Sequence, residues 1–380
     1  MHRVLAFINP KLSTRNVGDL FIEDAVKRIL SYDAAESIDI DPRQPITDQH
    51  IAEINRCDAA VIVGTNLWYR QLARPGRWCF TAEQLKAIRV PIIPLGVGTT
   101  RHVGEDNAFD DDTLEQLRII HDSCHQASVR DERTREALAE AGIRNVTLTG
   151  CPTLYRSLAA QWTMRPLDSE RPVGVSPSRM NAFPVRATPY SALGVQPYRR
   201  ENHVALTVRK GQRRNVRSLV QILQRKRFTL TVAAQQDKDR FLGWGIPWFA
   251  PSVPTLYRYD LAPYVDLVER SFGAIGCRLH GNMFHLSHGN PAVFLANCSR
   301  AESYCQTYGL PYYYCPDHES LTAGQLNEAV ERLGDRGEYT RFAERYAHFH
   351  RVLGDTLVAN GLEHRLKQAE PAKQFSRRAA

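Results

Sequence analysis

Short apolar runs alternate along most of the chain with segments whose apolar residues recur at helical spacing. That alternation predicts strands and helices wound into parallel sheets. Residues 3–8 form a candidate buried strand, and a polar loop over 9–19 leads to residues 20–32, where Phe21, Ile22, Ala25, Val26, Ile29 and Leu30 share one helical face. The unit recurs as strand 37–40 with helix 48–56, strand 59–64, strand 91–97 with helix 112–123, strand 126–130 with helix 132–141, and strand 146–150. After Cys151-Pro152 the pattern stops. Residues 164–201 are rich in Pro, Ser and Arg and carry neither period, which predicts an inter-domain linker or a mobile loop. Alternation then resumes, with strands over 204–208, 228–233, 272–276 and 292–296 and helices near 216–225, 264–270, 301–308 and 323–333. A charged helix over 339–368 closes the chain.

These elements predict an α/β protein with two Rossmann-like domains facing a cleft, a GT-B-like plan, and a long C-terminal helix placed to cross back. The expected boundaries are an N-terminal domain over 1–155, an irregular linker over 156–203, a C-terminal domain over 204–370 and a frayed tail over 371–380. A length of 380 residues agrees with two cores rather than one.

Composition narrows the class. No run approaches the ~18 apolar residues of a membrane span, and the apolar stretch at 4–8 is cut by Asn9-Pro10 before it could act as a signal segment. A cytoplasmic protein is expected. Eight cysteines without a CxxC pair point to reduced thiols. The net charge of +8 favours an anionic partner: a phosphorylated small molecule, nucleic acid, or an acidic membrane surface met peripherally.

Candidate chemistry gathers where strands hand over to helices, which is where open α/β sheets collect ligands. Asn16-Val17-Gly18-Asp19 follows the first strand; Gly18 permits a tight turn, and Asp19 either caps the helix or meets a hydroxyl. Gly98, in Gly96-Val97-Gly98, would let a ligand approach the backbone. In Arg130-Asp131, the aspartate has the place of a helix cap and the arginine that of a structural ion-pair former. Arg209 and Lys210 lie between a strand and a helix N-terminus, a placement suited to a phosphate. Arg278 and His280, at alternate positions of a strand end, would project together, the first as a planar fork for a carboxylate or phosphate and the second as a proton donor near neutral pH. Basic residues are not interleaved with aromatics along a face, which argues against nucleic acid. The histidine spacings match no metal motif, and no hydrolase, P-loop or kinase signature is present.

Several of these segments together resemble the polysaccharide pyruvyl transferase family. The matches are Asn16-Val17-Gly18-Asp19, the strand ends at 60–64 and 95–98, Ser128-Val129-Arg130-Asp131 with Leu138 and Gly142, the strand at 206–209, and Arg278-Leu279-His280 followed by Gly289-Asn290-Pro291. Two positions depart from the pattern: Gly64-Thr65-Asn66 stands where the family tends to have a glycine cluster, and Thr134 where it usually has serine. The resemblance implies a transferase that takes phosphoenolpyruvate as donor substrate, needs no cofactor, and builds a pyruvate ketal on a sugar or lipid-linked glycan. It further implies that Arg209, Arg278, Leu279 and His280 bind the donor. The N-terminal domain would then face the acceptor and the C-terminal domain would carry the donor. His280 is assigned as acid or phosphate partner, and Asp19 is assigned to the acceptor hydroxyl. Asn16, Gly18, Gly98 and Lys210 complete the candidate site. The rival expectations are a GT-B nucleotide-sugar glycosyltransferase, with Arg209 and Lys210 on a diphosphate, and a non-catalytic glycan- or anion-binding protein. Neither the acceptor sugar nor the oligomeric state has a signature in the residue pattern.

Overall fold

The first strand is fully buried because it lies between two neighbours and under two layers. In the computed structural model, which describes residues 3–10, 13, 16–73, 76–99, 109–166, 173–176, 197–200, 203–206, 229–231, 255–256, 261–276, 278–296, 298–314 and 323–368, β1 (Leu5–Ile8) pairs in parallel with β2 (Ile38–Ile40) and β3 (Ala59–Val63). β4 (Asn66–Trp68) follows β3, and β5 (Ile92–Leu95) closes the four-stranded order β2-β1-β3-β5. β6 (Gly98–Thr99) pairs with β4, and β7 (Ala127–Val129) pairs with β8 (Val146–Leu148). A parallel bridge between Val97 and Val129 links β7 to the end of β5. Helices α1 (Val17–Ile29), α2 (Asp48–Ile54), α3 (Ala82–Ala87), α4 (Asp111–Asp122) and α5 (Glu132–Glu140) supply the layers. Each begins with a side-chain cap: Asn16, Thr47, Thr81, Asp110 and Asp131 accept from backbone N–H groups of the first turn.

The second half repeats the logic. β9 (Val173–Ser176), β12 (Thr229–Thr231), β13 (Thr255–Leu256), β14 (Gly273–Gly276), β15 (Ala292–Ala296) and β16 (Tyr312–Tyr314) form a six-stranded parallel sheet, with β13 and β16 at its edges. β10 (Pro197–Arg200) and β11 (His203–Leu206) form a separate antiparallel pair. α6 (Ala262–Arg270), α7 (Leu279–Ser287), α8 (Ser299–Tyr308), α9 (Ala323–Gly334) and α10 (Thr340–Ala359) complete the chain. Two parallel α/β sheets with a returning C-terminal helix make the α/β, GT-B-like plan that the hydrophobic pattern predicts.

Three expectations change. The stretch 156–203 holds two strands, β9 and β10: β9 lies between β12 and β14, in the middle of the second sheet. Its four residues hold only two large apolar side chains inside a stretch rich in Pro, Ser and Arg. The strand expected at 204–208 begins that sheet in the sequence reading, whereas β11 pairs antiparallel with β10. The closing helix ends at Ala359 rather than running to 368, because Asn360 caps it and Gly361 adopts a φ of +68°. The chain beyond it runs back across the first half, where the Arg365 N–H donates to Ile29 O at 2.7 Å and the Ser31 N–H to Glu363 O at 2.9 Å. The Asn360 side chain also ties this return to Gln126, donating to its carbonyl at 2.8 Å. The frayed tail expected over 371–380 lies outside the described residues.

The halves share one core. A continuous apolar cluster runs from Leu5, Phe7 and Val61 through Tyr155 to Ala274, Phe294 and Tyr308. At the seam, Phe21 of α1 stacks on Phe284 of α7 with ring centroids 4.1 Å apart, and Tyr264 of α6 meets Phe21 edge-on. Aromatic pairs of this kind contribute about 0.5–1.5 kcal/mol beyond their area. This contact fixes α1 against α7, the two helices that carry the predicted catalytic side chains.

Candidate active site

Residues that follow the C-terminal ends of β1, β7, β14 and β15 come together at the seam. After β1, Asn16 caps α1 by accepting from the Gly18 N–H at 3.1 Å, and Asp19 sits in the first helical turn. Its carboxylate accepts a hydrogen bond from the Thr65 hydroxyl at 3.3 Å and lies 3.5 Å from Arg43. After β7, Asp131 caps α5 through the Thr134 N–H at 2.9 Å and the Thr134 hydroxyl at 2.8 Å, as its position predicts.

Across the seam, β14 ends at Gly276 and the helix begins sooner than expected. Arg278 is the N-cap residue of α7 and His280 its second residue, so the two are not alternate positions on one strand. The buried Asn282 side chain locks this turn, donating to Gly276 O at 2.8 Å and Val293 O at 3.3 Å and so joining α7 to both β14 and β15. Neither the N-cap residue of α7, Arg278, nor that of α8, Cys298, which follows β15, makes a side-chain capping bond. Uncapped helix N-termini leave backbone N–H groups and the positive end of the helix dipole available to an anion.

His280 reaches over to the first half. A Cβ on Gly18 would lie 3.0 Å from His280 Nδ1, so glycine there leaves the space that the imidazole occupies. The opposite ring nitrogen, Nε2, is 3.5 Å from Nη1 of Arg130. Arg130 is fully buried, and among the described residues its Nε and Nη2 have no hydrogen-bond partner; Nε lies 3.5 Å from the Asp131 carboxylate. An arginine with unsatisfied donors away from water is costly unless a ligand completes it. Arg300, second residue of α8, joins the cluster with an unpartnered, buried Nε. Burial, and next the Arg130 charge, pull its guanidinium below the usual arginine range. Burial, followed by the charges of Arg130, Arg300 and Arg278, holds the His280 imidazole well below the usual histidine range. His280 is therefore neutral at neutral pH and stands among three guanidiniums. An anion that offsets them would raise its affinity for a proton.

The structure gathers Asn16, Gly18, Asp19, Arg278 and His280 at one seam. Leu279 lies next to them, but its side chain belongs to the apolar core, which leaves only its backbone for a ligand. Gly98 serves space of another kind: the position of its missing Cβ is 2.2 Å from Nε of Arg130, so the guanidinium rather than a ligand occupies it. Arg209 and Lys210 lie outside the described residues. Arg130, Arg300, Arg43 and Thr65 were not among the site residues assigned from the sequence. The signal for Arg130 and Arg300 was their position, each just past the end of a parallel strand. Among the described residues no group of three or more His, Cys, Asp or Glu side chains is arranged to hold a metal, and no helix is long and apolar enough to cross a membrane.

A family model for polysaccharide pyruvyl transferase matches residues 16–299, three quarters of the chain and every site element named above but Arg300. No curated protein matches the chain. Similar solved structures include a putative UDP-N-acetylglucosamine 2-epimerase from Listeria monocytogenes, at 8% identity and TM-score 0.49, covering 97% of this chain and 99% of that one. The UDP-GlcNAc 2-epimerase from Neisseria meningitidis bound to UDP-GlcNAc is similar at 10% identity and TM-score 0.48, with 94% and 100% covered. The corresponding enzyme from Methanocaldococcus jannaschii matches at 10% identity and TM-score 0.49, with 92% and 98% covered.

Proposed function

The chain belongs to the polysaccharide pyruvyl transferase family, and we propose from that premise that it moves the enolpyruvyl group of phosphoenolpyruvate onto two hydroxyls of a sugar in a polysaccharide or its lipid-linked precursor. The product is a pyruvate ketal, and phosphate is released. The observation that carries the donor assignment is the fully buried Arg130, with two unpartnered N–H donors, beside a neutral His280. A donor with a carboxylate and a phosphate suits a cluster of three arginines and an uncapped helix N-terminus.

The chemistry divides between the two sides of the seam. Arg278, Arg130 and Arg300 hold the donor's anionic groups. The bound negative charge lifts the His280 proton affinity, and the imidazolium then protonates the terminal methylene, leaving positive character on the adjacent carbon. Asp19 receives a sugar hydroxyl, whose oxygen attacks that carbon. Phosphate leaves, and a second hydroxyl closes the ring. The two hydroxyl protons balance the one given to the methylene and the one carried off with phosphate. The net charge of +8 agrees with an acceptor met at the inner, anionic face of a membrane, with the protein cytoplasmic and peripheral.

The test is incubation of the full-length protein with phosphoenolpyruvate and a panel of methyl hexopyranosides and lipid-linked sugars, read by mass and by phosphate release. The expected product gains pyruvate less one water, with one phosphate per ketal. Transfer from a nucleotide sugar instead, or donor binding without turnover on any acceptor, would overturn the proposal.

A further inference from the structure

The strand order β2-β1-β3 places Asp19, in the first turn of the helix that follows β1, between the loops that leave β2 and β3. Each loop sends one side chain to a different oxygen of its carboxylate. From the β2 side, Arg43 Nη2 lies 3.5 Å from Oδ2; from the β3 side, the Thr65 hydroxyl donates to Oδ1 at 3.3 Å. Both loops are themselves fixed. Asp41 Oδ1 accepts from the Arg43 N–H at 2.9 Å, the Cys79 N–H donates to Pro42 O at 2.7 Å, and Thr65 O accepts from the Gly98 N–H at 2.9 Å. We propose that Arg43 and Thr65 are positioning residues for the acceptor, acting through Asp19 to aim its carboxylate at the sugar hydroxyl beside His280.

This inference rests on the transfer reaction proposed above and deepens its acceptor side. Three features favour orientation over simple ion pairing. The Asp19 side chain is 5% exposed while that of Arg43 is 29% exposed, so the arginine approaches from the rim and leaves the carboxylate inside the seam. Opposite oxygens are held from opposite sides, which fixes the carboxylate plane. Asp19 also directly follows Gly18, whose Cα abuts the His280 ring, so the aimed group and the imidazole occupy one corner.

The experiment measures steady-state transfer from phosphoenolpyruvate to methyl hexopyranosides for the wild type, Arg43→Ala, Arg43→Lys, Thr65→Val and Thr65→Ser, with donor binding followed separately by thermal shift. Misplacing a reacting group costs on the order of 10- to 100-fold. Arg43→Ala and Thr65→Val should therefore lose about that factor in kcat/KM for the sugar, with KM for phosphoenolpyruvate and the donor-induced shift kept within about twofold. Arg43→Lys and Thr65→Ser should recover most of the loss. Thr65→Val is nearly isosteric and tests the idea should Arg43→Ala fold poorly. If the wild type transfers but the variants lose donor and sugar parameters alike, or lose only thermal stability, the positioning role is wrong while the function stands. If the wild type transfers to no acceptor, both fall.

Discussion

Two arginines cross the seam between the halves, each beside a histidine of α7, and they differ in what completes them. Arg156 donates through Nε to Asp24 at 2.5 Å, contacts His288 Nε2 at 3.2 Å and lies over the Phe284 ring. Arg130 meets His280 Nε2 at 3.5 Å and leaves Nε and Nη2 without hydrogen-bond partners. Arg156 is 10% exposed and Arg130 fully buried, yet it is the more deeply buried arginine that has fewer partners. The satisfied arginine fastens α1 to α7, and the unsatisfied one keeps donors ready for a ligand. A buried cation short of partners is thus the better mark of a site than a buried cation as such.

The largest effect that could break this comparison comes from Arg130→Met, which keeps the volume and removes the fork. Transfer should fall by about 10³-fold, the scale of losing a preorganised electrostatic group, while the melting temperature falls only in part, because the buried Asp131 carboxylate loses the guanidinium 3.5 Å away. Steady-state rates and thermal melts on one preparation check both halves of that statement. A large drop in melting temperature with activity retained would make Arg130 a fastener like Arg156.

Arg156→Ala should behave the other way. Losing its charge-assisted bonds should cost about 2 kcal/mol of stability, measured by denaturant unfolding, with transfer at low temperature within about threefold of the wild type. A smaller effect sharpens the geometry. Gly18→Ala brings a Cβ to 3.0 Å from His280 Nδ1, so the ring must shift by a few tenths of an ångström. About tenfold less transfer is expected, with stability unchanged or improved, since alanine is the better helix former.

Much of the fold was legible because parallel strands between covering helices are written as apolar runs. Ala292–Ala296 occupies the span predicted from its five apolar residues, and β3, α4 and α5 fall within a few residues of their predicted bounds. β9 was illegible because Val173–Ser176 holds only two large apolar side chains inside a stretch rich in Pro, Ser and Arg, and its place in the sheet depends on partners 55 and 100 residues away. In the site, Arg278 and His280 stood out as a pair of functional residue types at a strand end. Arg130 did not, because beside Asp131 an arginine looks already paired. Only the geometry shows that Asp131 spends its Oδ1 on capping α5 and leaves the guanidinium short of partners. Arg43 was hidden for another reason: the strand order that carries it to Asp19 is a tertiary fact.

The central claim, that the seam binds an anionic donor whose charge switches His280 from neutral to protonated, is tested most directly by calorimetric titration of phosphoenolpyruvate into the full-length protein. The titration is run near pH 6.5, the ordinary histidine pKa being about 6.5, in two buffers of different ionisation enthalpy. His280 starts well below that range and is neutral there. Binding that raises its pKa must take up a proton, and affinity must weaken as pH rises through the bound-state pKa. The account predicts more protons taken up per donor by the wild type than by His280→Gln, and no measurable binding by Arg278→Ala. Equal proton counts in wild type and His280→Gln, or undiminished affinity in Arg278→Ala, would contradict it.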